Sequence, residues 1–228
     1  MIAGLQKMTL LDYPGKVACT IFTQGCNFRC PFCHNSDLLG KEGPEPISQD
    51  TLLTFLKKRV GLLDAVCITG GEPTLQKDLP DLIRKIKDLG YLVKLDTNGG
   101  KPDVLKALVE ENLLDYVAMD IKNAPDRYAE TVGIPDFDVA PIAESVAFLL
   151  SDAVDYEFRT TVVKEFHRVE DIEAAARFIK GAKRYFLQNF EDSGDLVQTG
   201  LSAVAPETLE AMQKAATPYI QYIGVRGI

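Results

Sequence analysis

The 228-residue chain contains no apolar run near the roughly 20 residues that a membrane-spanning helix needs. Its first fifteen residues mix Lys7, Asp12 and Gly4 with short apolar pairs, unlike a signal peptide, so a cytoplasmic protein is expected. A basic stripe is also missing. Lys57-Lys58-Arg59 is the longest basic run and reads as a solvated helix face, and the formal charge is −8. Such a surface repels phosphate backbones, which argues against tight nucleic-acid binding. No Gly/Ser-rich linker, repeat or low-complexity tract divides the chain, so one domain over residues 1–228 is expected. Histidine is scarce (His34 and His167), and no cysteine follows Cys67. The five cysteines are an odd number and three fall within eight residues, which favours ligation over a disulfide framework.

With 46% hydrophobic and 25% charged residues, the composition is that of an ordinary globular protein. Short Val/Ile/Leu-rich runs alternate with helical patterns. Strands are expected at 17–22, 65–69, 92–96, 116–120, 156–163, 184–188 and 219–223. Helices are expected at 49–62, 79–89, 103–112, 142–150, 169–179 and 206–216, with Ser48, Asp78, Asp138 and Glu170 near their starts. This alternation implies a parallel α/β sheet with right-handed crossovers. About six βα units are too few to close an eight-stranded barrel, so an open, partial βα barrel is expected.

Polar and glycine residues collect where these strands end. Thr23-Gln24-Gly25-Cys26 follows the first, Gly70-Gly71-Glu72-Pro73 the second, Asp96-Thr97-Asn98-Gly99 the third and Asp120-Ile121-Lys122 the fourth. In βα architectures that edge is where active sites form. Cys26, Cys30 and Cys33 have the spacing C-x3-C-x2-C, and Gly25 and Pro31 make a regular helix improbable there. Thiolates suit iron–sulfur clusters or zinc. Three such ligands can hold three irons of a four-iron cube and leave the fourth open. A structural zinc wants four protein ligands, and His34, adjoining Cys33, is poorly placed to close a tetrahedron. Cys19 and Cys67, inside apolar strands, read as small buried hydrophobes.

The triplet followed by His34-Asn35, together with these strand-end motifs, resembles the radical S-adenosylmethionine (radical SAM) superfamily. Within it the chain resembles the activating enzymes of glycyl-radical enzymes. Leu10 through Asn35 is most similar to activating enzymes of anaerobic ribonucleoside-triphosphate reductase. The resemblance implies a partial barrel of radical SAM type holding one [4Fe–4S] cluster on Cys26, Cys30 and Cys33. The open iron would chelate S-adenosylmethionine, whose reductive cleavage yields a 5′-deoxyadenosyl radical that takes hydrogen from a glycine of the partner. Flavodoxin or ferredoxin would be the electron donor.

The same resemblance suggests a cofactor pocket of Phe32 (on the adenine), His34, Gly70, Gly71, Glu72, Asp96, Thr97, Asp120, Lys122, Arg159 and Gln188. Glu72 and its backbone would meet the methionyl amino group, and Arg159 the carboxylate or ribose. Asp96, Thr97 and Asp120 resemble a sodium or potassium site in pyruvate formate-lyase activating enzyme. Two nearby carboxylates must take a proton or find a cation. Plainer readings exist: a glycine turn, helix caps at Asp96 or Asp120, a structural salt bridge at Arg159, a core aromatic at Phe32. Alternatives for the whole are an activator of pyruvate formate-lyase, a small-metabolite enzyme such as a deazapurine synthase, and a metal-sensing module. His34, standing where the second would have an acid, and the four motif-bearing strand ends favour the activating enzyme.

Overall fold

A computed structural model describes residues 1–40, 45–192, 194 and 196–226. Among them, eight strands form one sheet whose spatial order follows the chain. They are β1 (Ile2–Thr9), β2 (Ala18–Thr23), β3 (Ala65–Gly70), β4 (Leu92–Thr97), β5 (Tyr116–Asp120), β6 (Asp155–Val162), β7 (Arg184–Asn189) and β8 (Tyr222–Arg226). β2 to β8 are parallel, β1 lies antiparallel on β2, and β1 and β8 do not meet, so the sheet stays open. The helices are α1 (Gln49–Lys57), α2 (Leu79–Lys87), α3 (Pro102–Glu110), α4 (Tyr128–Val132), α5 (Ala140–Leu150), α6 (Val169–Phe178) and α7 (Pro206–Ala216). Parallel neighbours need crossovers, and the helices supply them. No helix among the described residues is long and apolar enough to cross a membrane.

Local chemistry explains the elements. α2 buries Leu79, Leu82, Ile83 and Ile86 at helical spacing, while Asp81, Arg84, Lys85 and Lys87 occupy its other positions. Ser48 Oγ accepts the Thr51 N–H at 3.1 Å and starts α1. At α6 the acid that closes the start is Asp171, which accepts the Arg168 N–H at 2.8 Å, rather than Glu170.

Beyond shifts of one or two residues, the structure differs from the expected elements at β1, α1 and β8, and it adds the short helix α4. β1 was not anticipated: its 4–8 stretch runs from half-buried to exposed and its pairing is irregular, so it has no clean two-residue alternation. α1 stops at Lys57 instead of Leu62, because Lys58 to Leu62 form a turn that ends in left-handed Gly61. β8 begins at Tyr222 rather than Tyr219, because Thr217–Tyr219, with Pro218, makes one tight helical turn first.

Strand residues alternate between two faces. One face packs Cys19, Ile21, Val66, Ile68, Val93, Leu95, Val117 and Phe158 into the large core beneath the helices. On the other, Ala18, Ala65, Cys67 and Tyr116 join Tyr13 in a small apolar plug at the strands' N-terminal ends. Nearer the C-terminal ends that inner face turns polar, with Thr20, Thr69, Asp96, Asp120, Arg159 and Thr161 bordering a cavity.

Candidate active site

The cavity has a volume of about 420 Å³, and every residue singled out for the site in the sequence lines it. That size falls in the range that ordinarily encloses a small organic ligand.

Its roof is the loop after β2. Gly71 N–H donates to Thr23 O (2.9 Å), Glu72 N–H to Gly25 O (2.8 Å), and Asn35 Nδ2 to Gly70 O (3.1 Å). A Cβ on Gly71 would stand 2.1 Å from Gly25 O, and one on Gly70, whose φ is +123°, 2.2 Å from Thr23 N. The glycine pair is therefore required where the cysteine loop's backbone lies on the end of β3. The expected close approach to a cofactor is, at these atoms, an approach of chain to chain.

Cys26, Cys30 and Cys33 are free thiols on this cavity. Burial pushes the Cys30 thiol up to about 12; Lys122 pulls it down, while Cys33 and Cys26 raise it, so the three sulfurs and Lys122 share one electrostatic neighbourhood. Phe28 N–H donates to Cys26 Sγ at 3.3 Å, the kind of contact that also stabilises a cluster-bound thiolate. Among the described residues no three His, Cys, Asp or Glu side chains converge on a point that would hold a single ion. Thiolates of a cube each bind a different iron and need no such convergence, so the donor set fits a cluster better than zinc.

Glu72 is completely buried. Its Oε1 accepts from Thr74 N (3.1 Å), Thr74 Oγ1 (2.6 Å) and Thr97 Oγ1 (2.8 Å), and its Oε2 from Asn98 N (2.7 Å). Burial raises its pKa while these donors pull it down. The carboxylate expected to meet an amino group thus ties the end of β3 to the end of β4.

The floor is a ladder of alternating charge. Lys94 Nζ pairs with Asp96 Oδ1, Asp96 Oδ2 with Arg159 Nη1 (3.1 Å), Arg159 Nη2 with Asp120 Oδ1 (3.0 Å), and Asp120 Oδ2 with Lys122 Nζ (2.9 Å). Burial acts to raise Asp120, but Lys122 and Arg159 outweigh it and hold the carboxyl at about 2. Asp96 is lowered in the same way, with Arg159 and Lys94 outweighing burial. The ladder bears directly on the expected cation site. Asp96 and Asp120 do lie together, but three protein cations already answer their repulsion. Thr97, the third expected oxygen, donates to Glu72 instead.

Around this floor, Phe32 is buried against Phe166, 5.7 Å between ring centres. The His34 ring stacks on Phe190 at 5.6 Å with its Nε2 2.7 Å from Glu191 O, and Gln188 reaches the cavity from β7. His167 is structural: its Nδ1 accepts the Val163 N–H (3.0 Å) and its Nε2 donates to Lys122 O (2.8 Å). These partners fix a neutral ring, and burial holds its pKa below the ordinary value. Below about pH 6.5 the unfolded chain takes up a proton that the folded ring resists, so this contribution to stability is lost as pH falls. The melting temperature of the wild type is expected to fall more steeply from pH 7.5 to 5.5 than that of His167→Gln. Equal slopes would contradict this.

Comparison with known proteins adds the family. Residues 20–179 match the Radical SAM superfamily. Over 239 aligned residues, covering 100% of this chain and 96% of the other, it is 35% identical to a Methanocaldococcus jannaschii protein described as a glycyl-radical enzyme activating enzyme. The chain belongs to the radical SAM superfamily and its glycyl-radical enzyme activating enzymes. The pyruvate formate-lyase-activating enzyme of Clostridium pasteurianum is 31% identical over 55% of this chain and 53% of its own. A radical SAM methyltransferase from Sphaerobacter thermophilus shares the fold, with a TM-score of 0.76 over 96% of this chain and 68% of its own at 13% identity.

Around the activating enzyme's site are partnerships that the sequence did not show. Lys94 is almost fully buried within β4, and a basic residue in an apolar strand is a signal for an anionic partner. Asn98 Nδ2 donates to Asn27 Oδ1 at 2.8 Å and so joins the third motif to the cysteine loop. Tyr128 is buried with its hydroxyl accepting the Lys122 N–H at 3.1 Å. Only the folded chain brings these pairs together.

Proposed function

We propose that this activating enzyme, acting as one cytoplasmic domain, cleaves S-adenosylmethionine reductively and installs a glycyl radical on anaerobic ribonucleoside-triphosphate reductase. Support comes from one observation above the others: the three thiols, the glycine-rich end of β3 and the charged ladder border a single cavity. Cys26, Cys30 and Cys33 would hold the [4Fe–4S] cluster and leave one iron for the amino and carboxylate groups of S-adenosylmethionine. Bound there and reduced by flavodoxin or ferredoxin, the cluster would supply one-electron chemistry for cleaving the sulfonium, with glycine as the donor of the hydrogen that the 5′-deoxyadenosyl group takes up.

The chain's own residues bind and orient. Lys94, Arg159 and Lys122 carry three charges against the two of Asp96 and Asp120, and that surplus suits an anionic carboxylate. Phe32 offers a ring to the adenine. His34, Gln188, Thr97 and the backbone at Gly70 and Gly71 supply polar edges, and Glu72 keeps β3 and β4 in register beneath them. Arg159→Gln is expected to weaken S-adenosylmethionine binding about 10- to 100-fold in equilibrium dialysis with the iron content unchanged. Unchanged affinity would remove Arg159 from the pocket.

The partner is tested by electron paramagnetic resonance after anaerobic incubation with S-adenosylmethionine and reductant. A glycyl doublet on anaerobic ribonucleotide reductase is expected. A doublet on pyruvate formate-lyase alone, the partner named for the Clostridium pasteurianum relative, would transfer the proposal to that enzyme.

A further inference from the structure

We infer that Lys94 is a built-in cation of the cofactor pocket, so that the enzyme binds S-adenosylmethionine without an exchangeable sodium or potassium ion. The inference rests on the proposed cofactor and deepens that reading.

Asp96 and Asp120 lie near the C-terminal ends of neighbouring parallel strands, β4 and β5. The Arg159 guanidinium bridges them, taking Asp96 Oδ2 at 3.1 Å and Asp120 Oδ1 at 3.0 Å. One guanidinium between two carboxylates leaves one negative charge and one further oxygen on each acid. Lys122 closes the Asp120 side at 2.9 Å. Lys94, two residues before Asp96 on the same face of β4, closes the other side through Oδ1.

Without that ammonium, Asp96 Oδ1 would be a buried carboxylate oxygen that has lost its partner, the kind of ligand that takes a hard cation. Lys94 supplies the same unit charge and hard donors from within the sheet. Its side chain is only 2% exposed, so the charge cannot exchange with solvent ions. The cavity's other acids are already engaged: Asp12 accepts from Thr20 Oγ1, and Glu72 has its four donors. Lys94 is thus a positioning residue that holds Asp96, and through it Arg159, in place.

The test measures S-adenosylmethionine affinity of the cluster-loaded enzyme in potassium, sodium and tetramethylammonium chloride at matched ionic strength. Wild-type affinity is expected to be the same in all three. Lys94→Met is expected to bind about tenfold more weakly in tetramethylammonium and to recover in potassium or sodium. Lys94→Arg, which keeps the charge, is expected to stay insensitive. A second readout needs neither cluster nor cofactor: the melting temperature of cluster-free Lys94→Met should rise when tetramethylammonium is replaced by potassium, while that of the wild type should not. Wild-type affinity or melting that depends on the alkali ion would overturn the inference, as would a Lys94→Met variant indifferent to it. If Lys94→Met does not fold, the wild-type and Lys94→Arg salt series decide alone. Failure to bind S-adenosylmethionine in any salt would count against the proposed function, and the cluster-free melting series would still judge Lys94.

Discussion

Cys30→Ala is expected to abolish cluster incorporation and, with it, all reductive cleavage of S-adenosylmethionine. Cys30 is the most buried of the three thiols, and burial drives its pKa up to about 12. A thiol held so firmly in its neutral form becomes a ligand by giving its proton up to iron binding, with Lys122 nearby to stabilise the thiolate. The two remaining thiols would leave a second iron exposed and the cube labile. Cys19→Ala and Cys67→Ala should leave iron content intact, since both sit fully buried in strands as small hydrophobes. Iron and sulfide analysis after anaerobic reconstitution checks all three. A full four-iron content in Cys30→Ala would exclude it as a ligand.

Gly71→Ala is expected to lower turnover by about a hundredfold while the fold survives. The new methyl would lie 2.1 Å from Gly25 O and 3.2 Å from Cys26 N, both backbone atoms that no rotamer change can move aside. The loop carrying Cys26 must therefore shift by about 1 Å or more, and displacements of that size near reacting groups carry costs of this order. Gly15→Ala is the control. Gly15 also has positive φ (+70°) but open space around it, so that substitution brings backbone strain without touching the site. The measurement is 5′-deoxyadenosine formed under dithionite. Equal rates for Gly71→Ala and wild type would show that the loop contact does not govern the site.

The contrast between these residues indicates how far the sequence could be read. The triplet was legible because its three thiols lie within eight residues, and the other motifs because each occupies one strand end. A parallel sheet with strands in chain order then brings those ends to one rim, which is why local motifs predicted a shared cavity. What depended on distant partners was not legible. Gly71 owes its identity to Gly25, and Glu72 to Thr74, Thr97 and Asn98. Asp96 and Asp120 suggested unbalanced charge because nothing local shows that Lys94, two residues before Asp96, is buried against it. β1 was missed because its irregular pairing and partial exposure give no two-residue pattern.

The account as a whole turns on where the abstracted hydrogen comes from. On the proposed function a glycine would reach the cavity as an extended loop, and among the described residues β1 and β8 do not pair with each other, which leaves the sheet open. The direct measurement incubates the cluster-loaded enzyme and reductant with S-adenosylmethionine and the partner, or a peptide copying its glycine loop, deuterated at the glycine α-carbon. Deuterium in the 5′-deoxyadenosine, read by mass spectrometry, is the predicted result. Unlabelled 5′-deoxyadenosine from the partner, with label acquired instead from a small free metabolite, would contradict it.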